Sequence, residues 1–232
     1  EKSASFRRAP EIPSESEMAQ LPDCNGLSFS VMPVDMSSVY EITPMGNLAP
    51  PGHTFPTEHI YFHLSAGGAT TKMFPLYAPA DVYVTSISKG TGFTSDPADY
   101  TIYYALCKDV IAYYNHVKEL SPELEKIFEE GNCKQNEHDN AYTYCENALN
   151  IVKAGSPMGK VGRLQGNFDF GAIDLRKTHA FANPKRYGIR SLHIQCALDY
   201  YQDNLKKQFM DLIERNDAEQ CGTVAQDIPG TL

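Results

Sequence analysis

Apolar and polar positions alternate along much of this chain with a period of two, the spacing of strands that bury one face. From Leu27 to Val34 the run LSFSVMPV places Leu27, Phe29 and Val31 on one side and predicts a strand. A weaker strand is expected over Val39 to Ile42. A loop rich in proline and glycine, Asn47 to His59, leads straight into IYFHL, whose aromatic and β-branched residues suit a strand. Pro75 to Ser88 reads as one or two strands, and DYTIYYAL, Asp99 to Leu106, as another. From there to Leu120 the periodicity fits either strand or helix.

The pattern changes at Ser121. Serine at the N-cap, Pro122 in the first position and acids in the first turn predict a helix to about Glu130 that stops at Gly131. Asn132 to Asn147 is polar and reads as an excursion. Short β segments are expected around Val152 and Val161, and another from Gly166 to Leu175. Leu198, Tyr201, Leu205, Phe209 and Leu212 recur at helical spacing, which predicts an amphipathic helix over Leu192 to Arg215. Residues 1–26 carry Pro10, Pro13 and Pro22 without periodicity and read as an arm or linker. Residues 27–232 then form a single β-rich domain with an insert over 118–150 and the C-terminal helix over 192–215. The tail, CGTVAQDIPGTL, ends on turn residues without a terminating element.

Composition narrows the function. The chain has 232 residues, 42% of them hydrophobic, enough for a sizeable core. Its net charge of −9, with no basic stripe, argues against nucleic acid as a partner. No run approaches the ~20 apolar residues of a membrane helix. Glu1 opens a polar segment, so a targeting sequence is expected to be absent or removed. The six cysteines form no C-x-x-C pair, which speaks against a zinc knuckle or thioredoxin-like site. They suit up to three disulfides in a secreted or periplasmic protein, with free thiols in a cytosolic protein as the other reading. Cys133 and Cys145 flank the polar excursion, which has little else to hold it.

Several chemistries are missing. There is no G-x-S-x-G elbow, no phosphate loop and no dinucleotide fingerprint; KGTGF at Lys89 to Phe93 reads as a hairpin turn. Adjacent acids such as Asp96/Asp99 and Glu129/Glu130 read as solvated charge. The tyrosines at 100, 103, 104, 113 and 114 form either a sheet-packing row or an exposed platform for a glycan or peptide. His138, His179 and His193 read as surface or capping residues.

VKAGSPMGKVG, Val152 to Gly162, and PLYAPADVYVTSI, Pro75 to Ile87, each set a valine-bearing strand beside small or turn residues. Together they resemble the half-motifs of a barrel-sandwich hybrid, the fold of lipoyl domains and of lysostaphin-type zinc endopeptidases. Lys153 and Lys160 lack the setting of a lipoylated lysine. The peptidase resemblance covers roughly Gly52 to Leu175. It implies a catalytic zinc with three protein ligands and one open position, with a neighbouring base. His59 takes the place of the first ligand, His63 stands where the family has aspartate, and Tyr61 where it has glycine. In a straight strand those two histidines lie about 13 Å apart at ~3.3 Å per residue. His53, in a proline-stiffened loop, joins them as a candidate ligand with Glu58 nearby. His116, in YYNHVKEL, matches the assisting histidine. A late H-x-H is expected near Gly166 to Gly171, where Phe168 and Phe170 stand instead; Asp169, between them, would face the other way. Asp174 is a further carboxylate along the chain. The resemblance therefore implies a degenerate peptidase, secreted and binding cell-wall peptide or glycan, or else a zinc hydrolase with a rearranged histidine site.

Overall fold

The alternating segments pair antiparallel. In the computed structural model, which describes residues 12–46, 57–90, 98–135, 143–181, 183–210 and 212–213, the strands are β1 (Glu41–Thr43), β2 (Ile60–His63), β3 (Phe74–Tyr77), β4 (Val82–Gly90), β5 (Asp99–Cys107), β6 (Val110–Leu120), β7 (Asn132–Gln135), β8 (Thr143–Val152), β9 (Pro157–Val161), β10 (Asn167–Asp174) and β11 (Ile194–Gln195). Their order is β1-β2-β10-β6-β5-β4-β8-β7, with β11 on β10 and β9 joining β3 to β6. The helices are α1 (Glu15–Met18), α2 (Pro122–Glu130), α3 (Ile189–His193) and α4 (Asp203–Met210). The expected class, mainly β with helical insertions, is the class observed.

One strand turns the sheet back on itself. Residues 110–115 of β6 pair with β10, whereas Val117, Glu119 and Leu120 pair with β9. The change of partner falls at His116, whose φ of 63° is left-handed. On the opposite edge of β6, two steps along β5 (Tyr100 to Ile102) match three along β6 (Val117 to Tyr114), so the strand is bulged there. This corner lets β9 and β3 fold over the main sheet. Gly159 permits the approach, because a Cβ there would lie 2.2 Å from the Glu119 carbonyl oxygen.

The inner face is aromatic. Phe62 stacks on Phe168 at 4.9 Å between ring centroids, Tyr114 meets Phe170 at 4.8 Å, and Tyr201 meets Phe209 at 4.7 Å. All six side chains are buried. Tyr103 and Tyr104 are buried too, so the tyrosine row packs the sheet.

The α2 expectation holds in detail. Ser121 Oγ accepts from the Leu124 amide at 3.3 Å, Pro122 begins the helix and Gly131 caps it. The ambiguous run to Leu120 is strand. Three segments differ from expectation. Around 27–34 a single bridge joins Phe29 to Tyr201 instead of a strand. The backbone amides there go to two partners, Phe29 to Tyr200 and Ser30 to Pro79, and Pro33 has none to give. The polar excursion is a hairpin, β7 against β8, pinned by Cys133–Cys145. The C-terminal periodicity is met by α3, β11, a 3-10 turn over Ala197–Tyr200 and α4 rather than one helix. Ile194 and Gln195 give their backbone to β10 instead. The spacing nevertheless tracked burial, since Leu198, Tyr201 and Phe209 all point inward.

The segment read as an arm is fastened from α1 onward. Met18 and Leu21 pack against Ala105 and Ile111, and Cys24 is bonded to Cys107. Cys196 is disulfide-bonded as well, and no described cysteine is free. Cys221 lies outside the described residues. Among the described residues no helix is long and apolar enough to cross a membrane.

Loop length sets the stabilisation expected from each bridge. The Cys24–Cys107 bridge spans 83 residues of sequence separation and Cys133–Cys145 spans 12. Chain entropy gives about 4–5 kcal/mol for the first and about 3 kcal/mol for the second. Denaturant melts of the paired serine variants are expected to show the larger loss for Cys24→Ser with Cys107→Ser. Equal losses would mean that local packing outweighs loop closure.

Candidate functional site

Residues opposite one another on antiparallel strands share a face. Asp169 lies opposite Tyr61 on β2 and Asn115 on β6, and Asn167 lies opposite His63. His59, at the entry to β2, belongs to the same face by its two-residue spacing from Tyr61. Phe168 and Phe170 point the other way, into the aromatic core. The residue that meets the histidines is thus Asp169, one position out of register with the expected H-x-H.

Asp169 is the centre of the site. Its Oδ2 lies 3.3 Å from His59 Nε2 and 3.3 Å from His116 Nε2, and it accepts from Asn115 Nδ2 at 3.3 Å. Asn115 and His116 are neighbours that an ordinary strand would send to opposite faces. The bulge and the left-handed backbone at His116 let both reach one oxygen. Such a backbone costs about 1–2 kcal/mol in a residue with a Cβ. Its two carboxylate contacts offset that cost.

His116 is held from both ends. Its Nδ1 lies 3.0 Å from Asp99 Oδ2 while Nε2 faces Asp169. Two carboxylates on the two ring nitrogens select the doubly protonated ring, because both nitrogens must donate. Burial alone would lower its pKa, but Asp169 and then Asp99 outweigh it and raise it to about 9. Burial would raise Asp169, yet the charges of His59 and His116, with hydrogen bonds from His116 and Asn115, bring it below the usual carboxylate range. Asp99 is lowered against its burial by His116 and Lys118. Lys118, its side chain wholly buried, donates to Asp99 at 3.0 Å and to Gln165 at 3.4 Å. Asp99, read in the sequence as solvated charge, is thus a half-buried link.

The site also has a wall. Tyr113 is buried against the backbone of Gly171, where a Cβ would lie 2.1 Å from the tyrosine ring. Its hydroxyl donates to the Glu58 carbonyl at 3.2 Å, and the Glu58 carboxylate takes Arg190 Nε at 3.0 Å. The Arg190 guanidinium lies 5.8 Å from the Tyr113 ring centre. Burial, with Asp169 close by, drives the Tyr61 hydroxyl well above its ordinary pKa.

Of the residues singled out from the sequence, His59 and His116 meet across Asp169. His63 is apart from them: the Tyr61 ring lies between, 4.7 Å from His59 and 6.1 Å from His63, and His63 Nε2 pairs with Thr43 Oγ1 at 2.9 Å. His53 and His138 lie outside the described residues. Asp174 is spent elsewhere, on Arg176 and on the Tyr200 hydroxyl, each at 2.8 Å. His179 Nε2 donates to the Ile194 carbonyl at 2.6 Å, away from the site.

A zinc ion needs several lone pairs converging on one point. Among the described residues no group of three or more His, Cys, Asp and Glu side chains is arranged to hold a metal. His116, protonated and clamped, has no lone pair to give. The described residues therefore do not fit the zinc that the peptidase resemblance implies.

No family model and no curated protein matches the sequence. Solved structures do. The SpoIIQ–SpoIIIAH pore-forming complex has a chain 13% identical, TM-score 0.43, covering 76% of this chain and 93% of that one. Helicobacter pylori Csd3 is 13% identical, TM-score 0.41, with 80% of this chain and 38% of that one covered. A zinc-containing peptidase from Vibrio cholerae is 17% identical, TM-score 0.38, with 64% and 37% covered. This chain spans well under half the length of the last two. At such identities and TM-scores the likeness supports no statement about its chemistry.

The ion chain makes stability depend on pH in a defined sense. His116 rises from 6.5 to about 9 on folding. Its contribution, on the order of 3 kcal/mol at 1.36 kcal/mol per pKa unit, is complete below pH 6.5 and is lost as pH rises through about 9. Asp99 and Asp169 are lowered, so theirs is present above their ordinary 3.8 and is lost as pH falls below it. Thermal melts from pH 6 to 10 are expected to fall on the alkaline side, and His116→Gln to flatten that limb. An unchanged limb in His116→Gln would place the titration elsewhere. Asp99→Asn strands the buried Lys118 charge and is expected to cost about 3–5 kcal/mol in a denaturant melt.

Proposed function

We propose that this protein is an extracytoplasmic, peptidase-like binding module, a lysostaphin-type strand arrangement whose cleft holds a peptide or glycan without cutting it. The observation that carries this reading is the double clamp on His116. A general base needs a lone pair at working pH, and here both ring nitrogens face carboxylates. The partner carboxylate is equally committed, with two imidazoles and an amide converging on one Asp169 oxygen. His59 lies across Asp169 from His116, and His63 is turned to Thr43 rather than into a shared centre. What remains is a set of polar groups fixed on one face of the sheet, which suits recognition.

The compartment follows from the cysteines. Bridges at Cys24–Cys107 and Cys133–Cys145, with Cys196 also bonded, belong to an oxidising environment. Secretion or export to a periplasm is the corresponding reading, and wall peptide or glycan is the ligand class found there.

Metal content and cleavage decide it together. Protein purified without chelator or histidine tag is expected to carry far less than one zinc per chain and to leave peptidoglycan and glycine-rich peptides intact. About one zinc per chain, lost in His59→Ala together with peptide cleavage, would overturn the reading in favour of a rearranged zinc hydrolase.

A further inference from the structure

The net charge of −9 conceals a basic stretch. Between Asp174 and Asp199 the chain carries Arg176, Lys177, Lys185, Arg186 and Arg190 and no acid. The other 15 of its 20 basic residues share the rest of the sequence with all 29 acids. Contacts fold this stretch back on itself. His193 Nδ1 donates to the Lys177 carbonyl and the His179 amide to the Leu192 carbonyl, each at 2.8 Å. Phe181 stacks on Tyr187 at 4.0 Å between ring centroids. Two arms thus lie side by side, with Arg176 and Lys177 at their foot. Lys185 and Arg186 stand in the 3-10 turn (Pro184–Arg186) between them.

Local acids cancel part of this charge. Asp174 alone faces both Arg176, at 2.8 Å, and Lys177, at 4.0 Å, and the two cations remain 42% and 53% exposed. Arg190 is matched by Glu58. Lys185 is exposed and forms no ion pair among the described residues. One positive charge is therefore left at the foot and at least one more at the turn. The acids elsewhere on the surface are screened beyond a Debye length of about 8 Å at physiological salt.

The side chains of the two arms narrow the partner. A bilayer takes up exposed apolar groups beside cations. Here Phe181 is buried, Tyr187 and Leu192 pack against the core, and Ile189 stands exposed by itself. A nucleic acid strand is held by bases stacked on available rings, whereas Phe181 and Tyr187 are stacked on each other. Cations at foot and turn suit a flexible chain of repeated anions that touches both. A phosphodiester brings a full charge and two free oxygens to each such contact.

We propose that residues 176–193 bind a flexible, non-nucleic polymer of phosphodiester units. The surface uses neither His59, His116 nor Asp169, so this assignment and the reading of that site stand or fall separately. The test follows a labelled glycerol phosphate oligomer by fluorescence anisotropy on the full chain. Competitors are a polyglutamate of equal charge, a thymidine oligonucleotide and phosphatidylglycerol vesicles. The oligomer is expected to bind with a Kd on the order of 100 μM at about 50 mM salt, and about tenfold or more weaker at about 200 mM. Lys177→Gln with Lys185→Gln, both exposed, should weaken it by about tenfold and flatten the salt dependence. Lys153→Gln with Lys160→Gln, which removes two exposed cations paired with Asp81 and Glu119, should leave it unchanged. The assignment falls if the oligomer does not bind at about 1 mM, or if its binding ignores salt. It falls equally if both lysine pairs weaken binding alike, or if neither does. Polyglutamate, oligonucleotide or vesicles binding as tightly as the oligomer would overturn the phosphodiester polymer as the partner.

Discussion

A carboxylate removed from water is the constraint around which this molecule is arranged. Asp169 sits in the middle of the sheet, its side chain 3% exposed. An uncompensated buried charge costs several kcal/mol. The compensation comes from three places in the sequence: His59 before β2, and Asn115 and His116 on β6. For two consecutive residues of β6 to serve one oxygen, the strand must bulge, and the left-handed φ at His116 is how it does so. The same bulge passes β6 from β10 to β9. The corner that closes the fold and the geometry of the site are therefore one feature.

The charges behind His116 follow from its own. A doubly protonated His116 needs a second anion, which Asp99 supplies, and Asp99 in turn takes the buried Lys118. Alternating signs across β5, β6 and β10 fasten three strands without a net charge. The chain as a whole is acidic, at −9, yet this cluster is balanced. Surface pairs such as Lys153–Asp81 and Lys160–Glu119 carry no comparable weight, being exposed and screened.

Much of this was legible in the sequence, for reasons that differ from element to element. Period-two alternation located IYFHL, DYTIYYAL and the strand after Gly166, because a half-buried sheet writes its face directly into the chain. Ser121, Pro122 and Gly131 fixed both ends of α2. His59 and His116 stood out through their motif setting. Asp169 was visible but placed on the wrong side, since a one-residue change of register exchanges the two faces of a strand. Asp99 looked like an ordinary surface charge and nothing singled out Lys118, because local spacing carries no record of what a distant strand will cover. The C-terminal spacing reported burial faithfully but not backbone, and a short strand, β11, stands inside what periodicity alone reads as helix.

The rigidity of the cluster bears on what such a site is good for. Catalysis by proton transfer requires a group that changes its protonation state easily, and the two carboxylates on His116 oppose loss of its proton near neutral pH. Recognition has the opposite requirement: donors and acceptors already fixed lose little freedom when a ligand arrives. Asn115, His116 and Asp169 are set by strands, a bulge and an ion chain rather than by a loop, and His59 stands one residue before β2.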